Sequence, residues 1–231
     1  MQPHLRIIGD VHGKQQQYLE LIAGAKYSIQ VGDMGFDYKL LESLDPERHR
    51  FIPGNHDNYS LLQQKLVPCA LNAFGTISIP SIGPIWYMRG AWSIDLLARV
   101  PGLSWWPEEE LSSQQLKEAV ANFKQTKPEF VITHDAPSPA IRRVLPKGSE
   151  LFESRTTRAL SSCLRRHHPN RWIFGHFHRT VCFNHGTTEF QCLAELTYMD
   201  FDKRGQVIYR PKNQRPGRVI RWPSEVRRVL T

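Results

Sequence analysis

The sequence lacks the features that mark several large classes of protein. No apolar run approaches the ~18 residues that a membrane-spanning helix needs, and Met1 leads into a short apolar segment, unlike the long one of a signal peptide. The four cysteines show no Cys-x-x-Cys spacing, which argues against a zinc ribbon or a dithiol redox site. We therefore expect a cytoplasmic protein that has reduced thiols and no membrane partner.

What is present is the composition of an ordinary globular protein. Of the 231 residues, 40% are hydrophobic and 10% are aromatic, a balance that excludes wholesale disorder, a collagen and a small disulfide scaffold. The length suits a single α/β domain. No internal repeat or obvious linker divides the chain.

Positive charge is concentrated at the C-terminal end. The net charge is +8, and residues 202–231 contain nine basic and two acidic residues. We predict one main domain over residues 1–201 and a basic arm over residues 202–231 that docks on that domain or extends from it. The arm is either a solvated terminal segment or a contact for nucleic acid, which it would attract through non-specific phosphate contacts.

Five short apolar runs each lead into a polar motif. The runs and motifs are 5–8 into GDVHG (9–13), 28–31 into GDMG (32–35), 51–52 into PGNHD (53–57), 130–132 into THDAP (133–137) and 172–174 into GHFH (175–178). Such runs, bounded by turn residues, predict buried strands. Helices are predicted between them, over residues 15–25, 59–66, 112–125 and 155–167. Strands that alternate with helices predict an α/β fold with a mainly parallel, helix-covered sheet.

Two further segments lie outside this alternation. Residues 75–88 predict strands separated by Gly-Pro, and residues 180–193 predict a hairpin with its turn at 184–186. They belong to a second sheet or to a mixed continuation of the first. Because ligands bind at the carboxyl ends of strands in open α/β sheets, we expect the five motifs to converge.

The motifs contain side chains of the types that bind transition metals. They are Asp10, His12, Asp33, Asn55, His56, Asp57, His134, His176 and His178. Carboxylates, imidazoles and an amide suit Mn, Fe or Zn better than Ca or Mg, which prefer all-oxygen ligands. There are too many ligands for one ion, whereas two ions that share a carboxylate would use them. Such a pair lowers the pKa of a bridging water and clamps phosphate oxygens, as phosphoester hydrolysis requires.

These five motifs, in this order, resemble those of the calcineurin-like metallophosphoesterases over about residues 5–180. The resemblance implies central β-sheets flanked by helices, with a dimetal site at the carboxyl ends of the strands. It implies that one ion is held by Asp10, His12 and His178, and the other by Asn55, His134 and His176. Asp33 would bridge the two ions, which we expect to be Mn²⁺, with Fe, Zn, Ni or Co as alternatives. A metal-bridging hydroxide would attack, and His56 would stabilise the transition state or protonate the leaving oxygen.

The sequence departs from the phosphoprotein phosphatases of this superfamily. They carry an Asp-Arg pair after the second Gly-Asp motif, and this chain does not. The aspartate that orients the catalytic histidine therefore has no aligned counterpart, and we expect Asp37 or Asp57 to orient His56. The phosphate-binding arginine also lacks a counterpart. The candidates are Arg89, Arg142 and Arg179, with Arg89 preferred because it follows a predicted strand.

Four of the six tryptophans lie within residues 86–106. They form either a packed subdomain or dimer contact, or an aromatic wall that stacks on a base or aryl leaving group, with Trp105 and Trp106 as predicted substrate contacts. With the basic arm, this cluster favours a phosphodiester or nucleotide-like substrate over a phosphomonoester. The alternatives are a nuclease on DNA or RNA, a protein phosphatase and a catalytically silent binding scaffold. The sequence leaves the oligomeric state open.

Overall fold

Two β-sheets are formed by eleven strands in the computed structural model, which describes residues 2–146 and 153–213. The strands are β1 Leu5–Ile8, β2 Tyr27–Gln30, β3 His49–Phe51, β4 Phe74–Ile79, β5 Gly83–Met88, β6 Phe130–Thr133, β7 Arg171–Phe174, β8 Val181–His185, β9 Thr188–Cys192, β10 Tyr198–Phe201 and β11 Val207–Tyr209. The first sheet has the order β11-β10-β1-β2-β3 and the second β4-β5-β6-β7-β9-β8. In the first sheet, β1, β2 and β3 are parallel, and β10 is antiparallel to both β1 and β11. In the second sheet, the inner strands are parallel and the edge strands β4 and β8 are antiparallel to their neighbours.

Five α-helices cover the outer faces of the two sheets. They are α1 Gln15–Ala23, α2 Tyr59–Gln63, α3 Ser113–Thr126, α4 Ser138–Val144 and α5 Arg155–Arg166. Helices α1 and α2 pack against the first sheet, and the other three against the second. The result is a helix–sheet–sheet–helix arrangement. It confirms the prediction of central sheets flanked by helices.

The inner strands are buried on both faces, which explains why their sequences are continuous apolar runs. In β1, Ile7 belongs to the core between the two sheets, whereas its neighbour Ile8 packs with Tyr18 and Ile22 of α1. The second sheet contributes Ile132 and other aliphatic side chains to the same central core. This packing brings the carboxyl ends of strands from both sheets to one edge of the molecule.

Most predicted elements begin within two residues of the observed ones, and the differences have local causes. Helix α2 ends at Gln63 because Lys65 takes a left-handed conformation, with φ 56°. The hairpin turn follows His185, where Gly186 supplies the positive φ of a two-residue turn. Helix α4 and the strands β10 and β11 were not predicted.

The predicted boundary at residue 202 falls between two paired strands. Residues 207–209 of the predicted arm form β11, which pairs with β10 in the first sheet. Residues 214–231 lie outside the described part, so the proposed role of the arm stays a prediction. All four cysteines are free. None of the helices in residues 2–146 and 153–213 combines the length and the apolar character needed to cross a membrane.

Candidate metal centre

All five motifs meet at the edge where the parallel strands of both sheets end. Two groups of side chains there have ligand atoms within 4.8 Å of one another. They are Asp10, His12, Asp33 and His178, and Asp33, His134 and His176. Asp33 belongs to both groups, as expected of a bridging carboxylate. The predicted amide ligand, Asn55, adjoins the second group, since its Oδ1 lies 3.0 Å from His134 Nε2.

In the first group, two histidine nitrogens lie close to a carboxylate oxygen that accepts no hydrogen bond from the described residues. Nε2 of His12 and Nε2 of His178 lie 3.1 Å apart, and they lie 3.8 Å and 3.5 Å from Asp10 Oδ2. Among the described residues, no donor forms a hydrogen bond to Asp10 Oδ2 or to Asp33 Oδ2, although both atoms are buried. Buried carboxylate oxygens are costly without a partner, so these two oxygens and the facing imidazoles fit a cation.

In the second group, a backbone carbonyl orients one histidine for metal ligation. His134 Nδ1 lies 2.8 Å from the carbonyl oxygen of Val31, to which it donates, so that Nε2 faces Asp33 at 3.1 Å. Burial opposes charge on His134, but Asp33 outweighs it and raises the pKa of His134 to about 10 without metal. Burial and then the charge of His134 lower the pKa of His176 to about 3. His176 is therefore a neutral imidazole, whereas an ion would displace a proton from His134.

The backbone at the ligands is held in unusual conformations. Four predicted ligands have positive φ, namely His12 (49°), Asp33 (60°), His176 (66°) and His178 (49°). Each costs of order 1–3 kcal/mol, and such strain clusters at functional sites. Two motif glycines make the room, because a Cβ at Gly32 or Gly54 would clash with His134. The polar motifs are thus built to bring side chains from different strands into contact.

Asp57 connects two of the motif loops and does not orient His56. Its carboxylate accepts hydrogen bonds from the backbone amides of Asp33, Met34, Gly35 and Gly54 and from the hydroxyl of Tyr38. This corrects the prediction of a catalytic role for Asp57. Burial and then Asp33 raise its pKa to about 6, and its function is to fix the loop that carries Asp33.

His56 lies on the open side of the centre, next to an unforeseen carboxylate. Its backbone amide donates to Asp33 Oδ1 at 2.7 Å, and its ring centroid lies 5.5 Å from that of His12. The carboxylate nearest its ring is Asp95, with Oδ2 3.7 Å from Nε2. Asp37, the other predicted orienting residue, is exposed, and its Oδ1 accepts from the backbone amide of Lys39.

A buried polar network supports Asn55 from the long segment over residues 89–110, here called the 89–110 connection. Asn55 Nδ2 donates to Ser93 Oγ at 3.0 Å, which turns its Oδ1 toward His134. Arg99 Nη2 donates to the carbonyl oxygen of Asn55 at 2.9 Å, and the same guanidinium pairs with Glu109. Sequence reasoning missed these residues, since no motif or periodicity marks them within an irregular connection.

The predicted phosphate-binding arginine is engaged elsewhere. Arg89 Nη1 donates to the carbonyl oxygen of Glu108 at 2.7 Å, and its guanidinium lies 4.7 Å from the ring centroid of Tyr59. Arg89 therefore secures the end of the 89–110 connection, and its assignment to phosphate stays a prediction. Arg142 lies on α4, and Arg179 is half-buried directly after His178.

Aromatic side chains lie near His56, and the most exposed of those that the structure describes there, Phe36, was not among the predicted substrate contacts. Trp106 is only 6% exposed and donates from Nε1 to Ser60 Oγ at 2.8 Å, so it backs the wall. Phe36 is 39% exposed, with ring centroids 5.9 Å from Trp106 and 6.4 Å from His56. Trp105 is half-buried nearby. Phe36 is thus the aromatic side chain that a substrate beside His56 would meet.

Comparison with known sequences agrees with this geometry. The sequence model of the calcineurin-like phosphoesterase family matches residues 4–180. The match spans most of the chain, which therefore belongs to the calcineurin-like phosphoesterase family. No curated protein matches the chain.

Solved structures share the fold at low sequence identity. GAP50, the anchor in the inner membrane complex of Plasmodium, has a TM-score of 0.50 and 10% identity over 94% of this chain and 91% of that chain. A Staphylococcus aureus structure described as a 5′-nucleotidase has a TM-score of 0.50 and 12% identity over 88% of this chain and 52% of that chain. A dimetal phosphatase from Danio rerio has a TM-score of 0.47 and 14% identity, over 89% and 91%.

Family membership and the two groups of ligands point the same way. Proteins of this family usually bind divalent metal ions, and the described residues contain a candidate dimetal site. The chain is therefore best described, at this level, as a phosphoesterase with a dimetal site.

Proposed function

We propose that this protein hydrolyses a phosphodiester or a nucleotide-like phosphoester with the help of two divalent metal ions, Mn²⁺ being the expected pair. The observation that carries the proposal is the position of Asp33 in both groups of ligand atoms. One group adds Asp10, His12 and His178, and the other His134 and His176, with Asn55 beside them. When bound, such a pair supplies a water of lowered pKa and positive charge against the phosphate oxygens.

The chain's own residues divide the remaining tasks. His56 is placed to donate a proton to the leaving oxygen or to stabilise charge on the phosphoryl group. Asp95 Oδ2 lies 3.7 Å from Nε2 of His56, where its charge favours the protonated ring. Phe36 offers an exposed ring beside His56 on which a base or an aryl group could stack.

The arginines support a diester over a monoester. A phosphomonoester carries up to two negative charges and a diester carries one, so a monoester gains more from an added cation. Arg89 is bound to the carbonyl oxygen of Glu108, and Arg99 is paired with Glu109. The charge of Arg99 is therefore already balanced by a carboxylate and does not offset the additional charge of a monoester.

The test compares Mn²⁺-supported hydrolysis of bis(p-nitrophenyl) phosphate and p-nitrophenyl phosphate, with Asp33→Asn as the blank. We expect kcat/KM for the diester to exceed that for the monoester at least about tenfold, which corresponds to ~1.4 kcal/mol. A preference for the monoester would overturn the diester assignment in favour of a phosphatase. No turnover of either substrate by a protein that binds metal would point to the binding scaffold.

A further inference from the structure

The outer face of α5 is unusually uniform in charge. Its four exposed positions are all arginines, namely Arg155, Arg158, Arg165 and Arg166. The neighbouring helix α3 covers the same sheet and exposes both lysine and glutamate. Residues 1–201 contain twenty-one basic and twenty acidic residues, so this face departs from a nearly neutral domain.

A groove of about 890 Å³ runs between α4 and α5 and carries this charge. Its cationic and titratable lining is Arg142, Arg143, Arg158, Arg165, His168 and His185. The two helices come close at Ser138 and Ser161, whose hydroxyl oxygens lie 3.0 Å apart. Leu164 and Pro139 add apolar surface to the groove.

Little negative charge faces the groove. The one carboxylate in its described lining is Glu153, which accepts from the hydroxyl of Ser138. Within residues 2–146 and 153–213, no ion pair holds Arg142, Arg143, Arg158 or Arg165. Arg158 Nη1 donates to the carbonyl oxygen of Glu153 and Arg143 lies over the Phe183 ring, contacts that leave their charge unbalanced. Positive charge that no carboxylate balances is the electrostatic footprint of a polyanion site.

The first turn of α5 lies close to the metal centre. Thr157, in the first turn of α5, donates to Asp135 Oδ2 at 2.9 Å, and Asp135 directly follows the ligand His134. From there the arginines continue for about 17 Å, the length of a twelve-residue helix. A chain of phosphates lying along α5 would therefore lead to the catalytic edge of the sheets.

We propose that the groove between α4 and α5 binds single-stranded nucleic acid and guides it to the metal centre. The inference rests on the proposed function, since it assigns the substrate class of that site. Arginine binds phosphate oxygens and stacks on bases, and a single strand presents both groups. Adjacent helix axes are typically 8–10 Å apart, a spacing that suits one strand better than a duplex.

The experiment measures binding of a fluorescein-labelled 20-nucleotide oligo-dT to the full chain in EDTA, by fluorescence anisotropy at several salt concentrations. Arg158→Gln with Arg165→Gln should raise Kd about tenfold. Because each lost phosphate contact to a single strand reduces the slope of log K against log salt by about 0.7, this variant should lose about 1.4. Arg142→Gln with Arg143→Gln, on α4, should act in the same direction.

The matched control is Lys117→Gln with Lys124→Gln on α3, which removes the same charge from the same side of the sheet and should leave Kd unchanged. Equal effects of the α5 and control variants would show non-specific attraction and overturn the proposal. The proposal would also be overturned if both arginine variants bound oligo-dT as the wild type does, or if the matching duplex bound as tightly as the single strand. Oligo-dT binding is measured without metal and does not depend on catalysis. If the variants change oligo-dT binding as expected but the protein does not hydrolyse the diester, only the proposed function is refuted.

Discussion

The motif loops and the 89–110 connection both surround the metal centre, but they contribute in different ways. The motif loops supply every proposed ligand, each within four residues of the end of a strand. The connection supplies no ligand among its described contacts, yet Ser93, Asp95 and Arg99 hold Asn55 and His56 in place. Short sequence motifs therefore contain the proposed ligands, whereas the orientation of those side chains depends on the 89–110 connection, which has no recognisable motif.

The largest expected effect follows from removing the carboxylate shared by both groups of ligands. Asp33→Asn should reduce diester hydrolysis to the rate measured without enzyme, because neither ion would retain a charged shared ligand. Bound Mn²⁺, measured by mass spectrometry of the dialysed protein, should fall with activity. A variant that keeps both metal and turnover would contradict the bridging role. Asp37→Asn, an exposed aspartate in the same loop, is the control and should match the wild type.

The next effect separates binding of metal from proton transfer. His56→Ala should keep the metal content and lower kcat by about 10²–10⁴-fold, the usual contribution of a general acid or base. The reason is that the His56 side chain faces the open side of the centre, while only its backbone amide contacts Asp33. Turnover at the wild-type level would refute the assignment.

A substitution in the 89–110 connection should lower metal affinity or activity less than a substitution of a ligand in the motif loops, but by a measurable factor. Ser93→Ala removes the oxygen that accepts from Asn55 Nδ2, so that the amide ligand loses its fixed orientation. Loss of such a supporting contact typically costs 10–100-fold in metal affinity or activity. Titration of the metal-free protein with Mn²⁺ would measure it, with Ser104→Ala in the same connection as the control. An unchanged affinity for Mn²⁺ would mean that the 89–110 connection does not orient the ligand Asn55.

The smallest expected effect concerns the accessible aromatic ring. Phe36→Ala should raise KM about fivefold for a nucleotide-like or aryl diester, equivalent to ~1 kcal/mol of stacking, and should leave kcat nearly unchanged. Phe36→Tyr keeps the ring and should behave as the wild type. Trp106→Ala should instead lower the free energy of unfolding, since Trp106 is buried. Equal KM values for Phe36→Ala and the wild type would remove the stacking role.

The fold could be predicted wherever apolar periodicity is strong. Strand β1 and the start of α5 were placed at the observed residues, because a strand buried on both faces and a helix with one buried face leave clear patterns. Strand β10 contains Asp200, whose pairing with Arg6 of β1 makes a polar residue buried. Strand β11 is a three-residue edge strand with exposed side chains at Ile208 and Tyr209. Both depend on partners distant in sequence, which no local pattern reveals.

The candidate site could be predicted where its residues follow clearly patterned apolar strands. All seven predicted ligands come together because each lies where a strand meets a turn. Asp57 was misassigned, since the sequence does not show that four backbone amides surround it. The contact of Arg89 with the carbonyl oxygen of Glu108 could not be predicted, because any residue type could provide that carbonyl.

The most direct test of the account is a crystal structure of the protein grown with Mn²⁺, with anomalous diffraction used to place the ions. The account predicts two Mn²⁺ peaks, both in contact with the carboxylate of Asp33. One should also contact Asp10, His12 and His178, and the other Asn55, His134 and His176. A single peak, or two peaks that do not share Asp33, would contradict it.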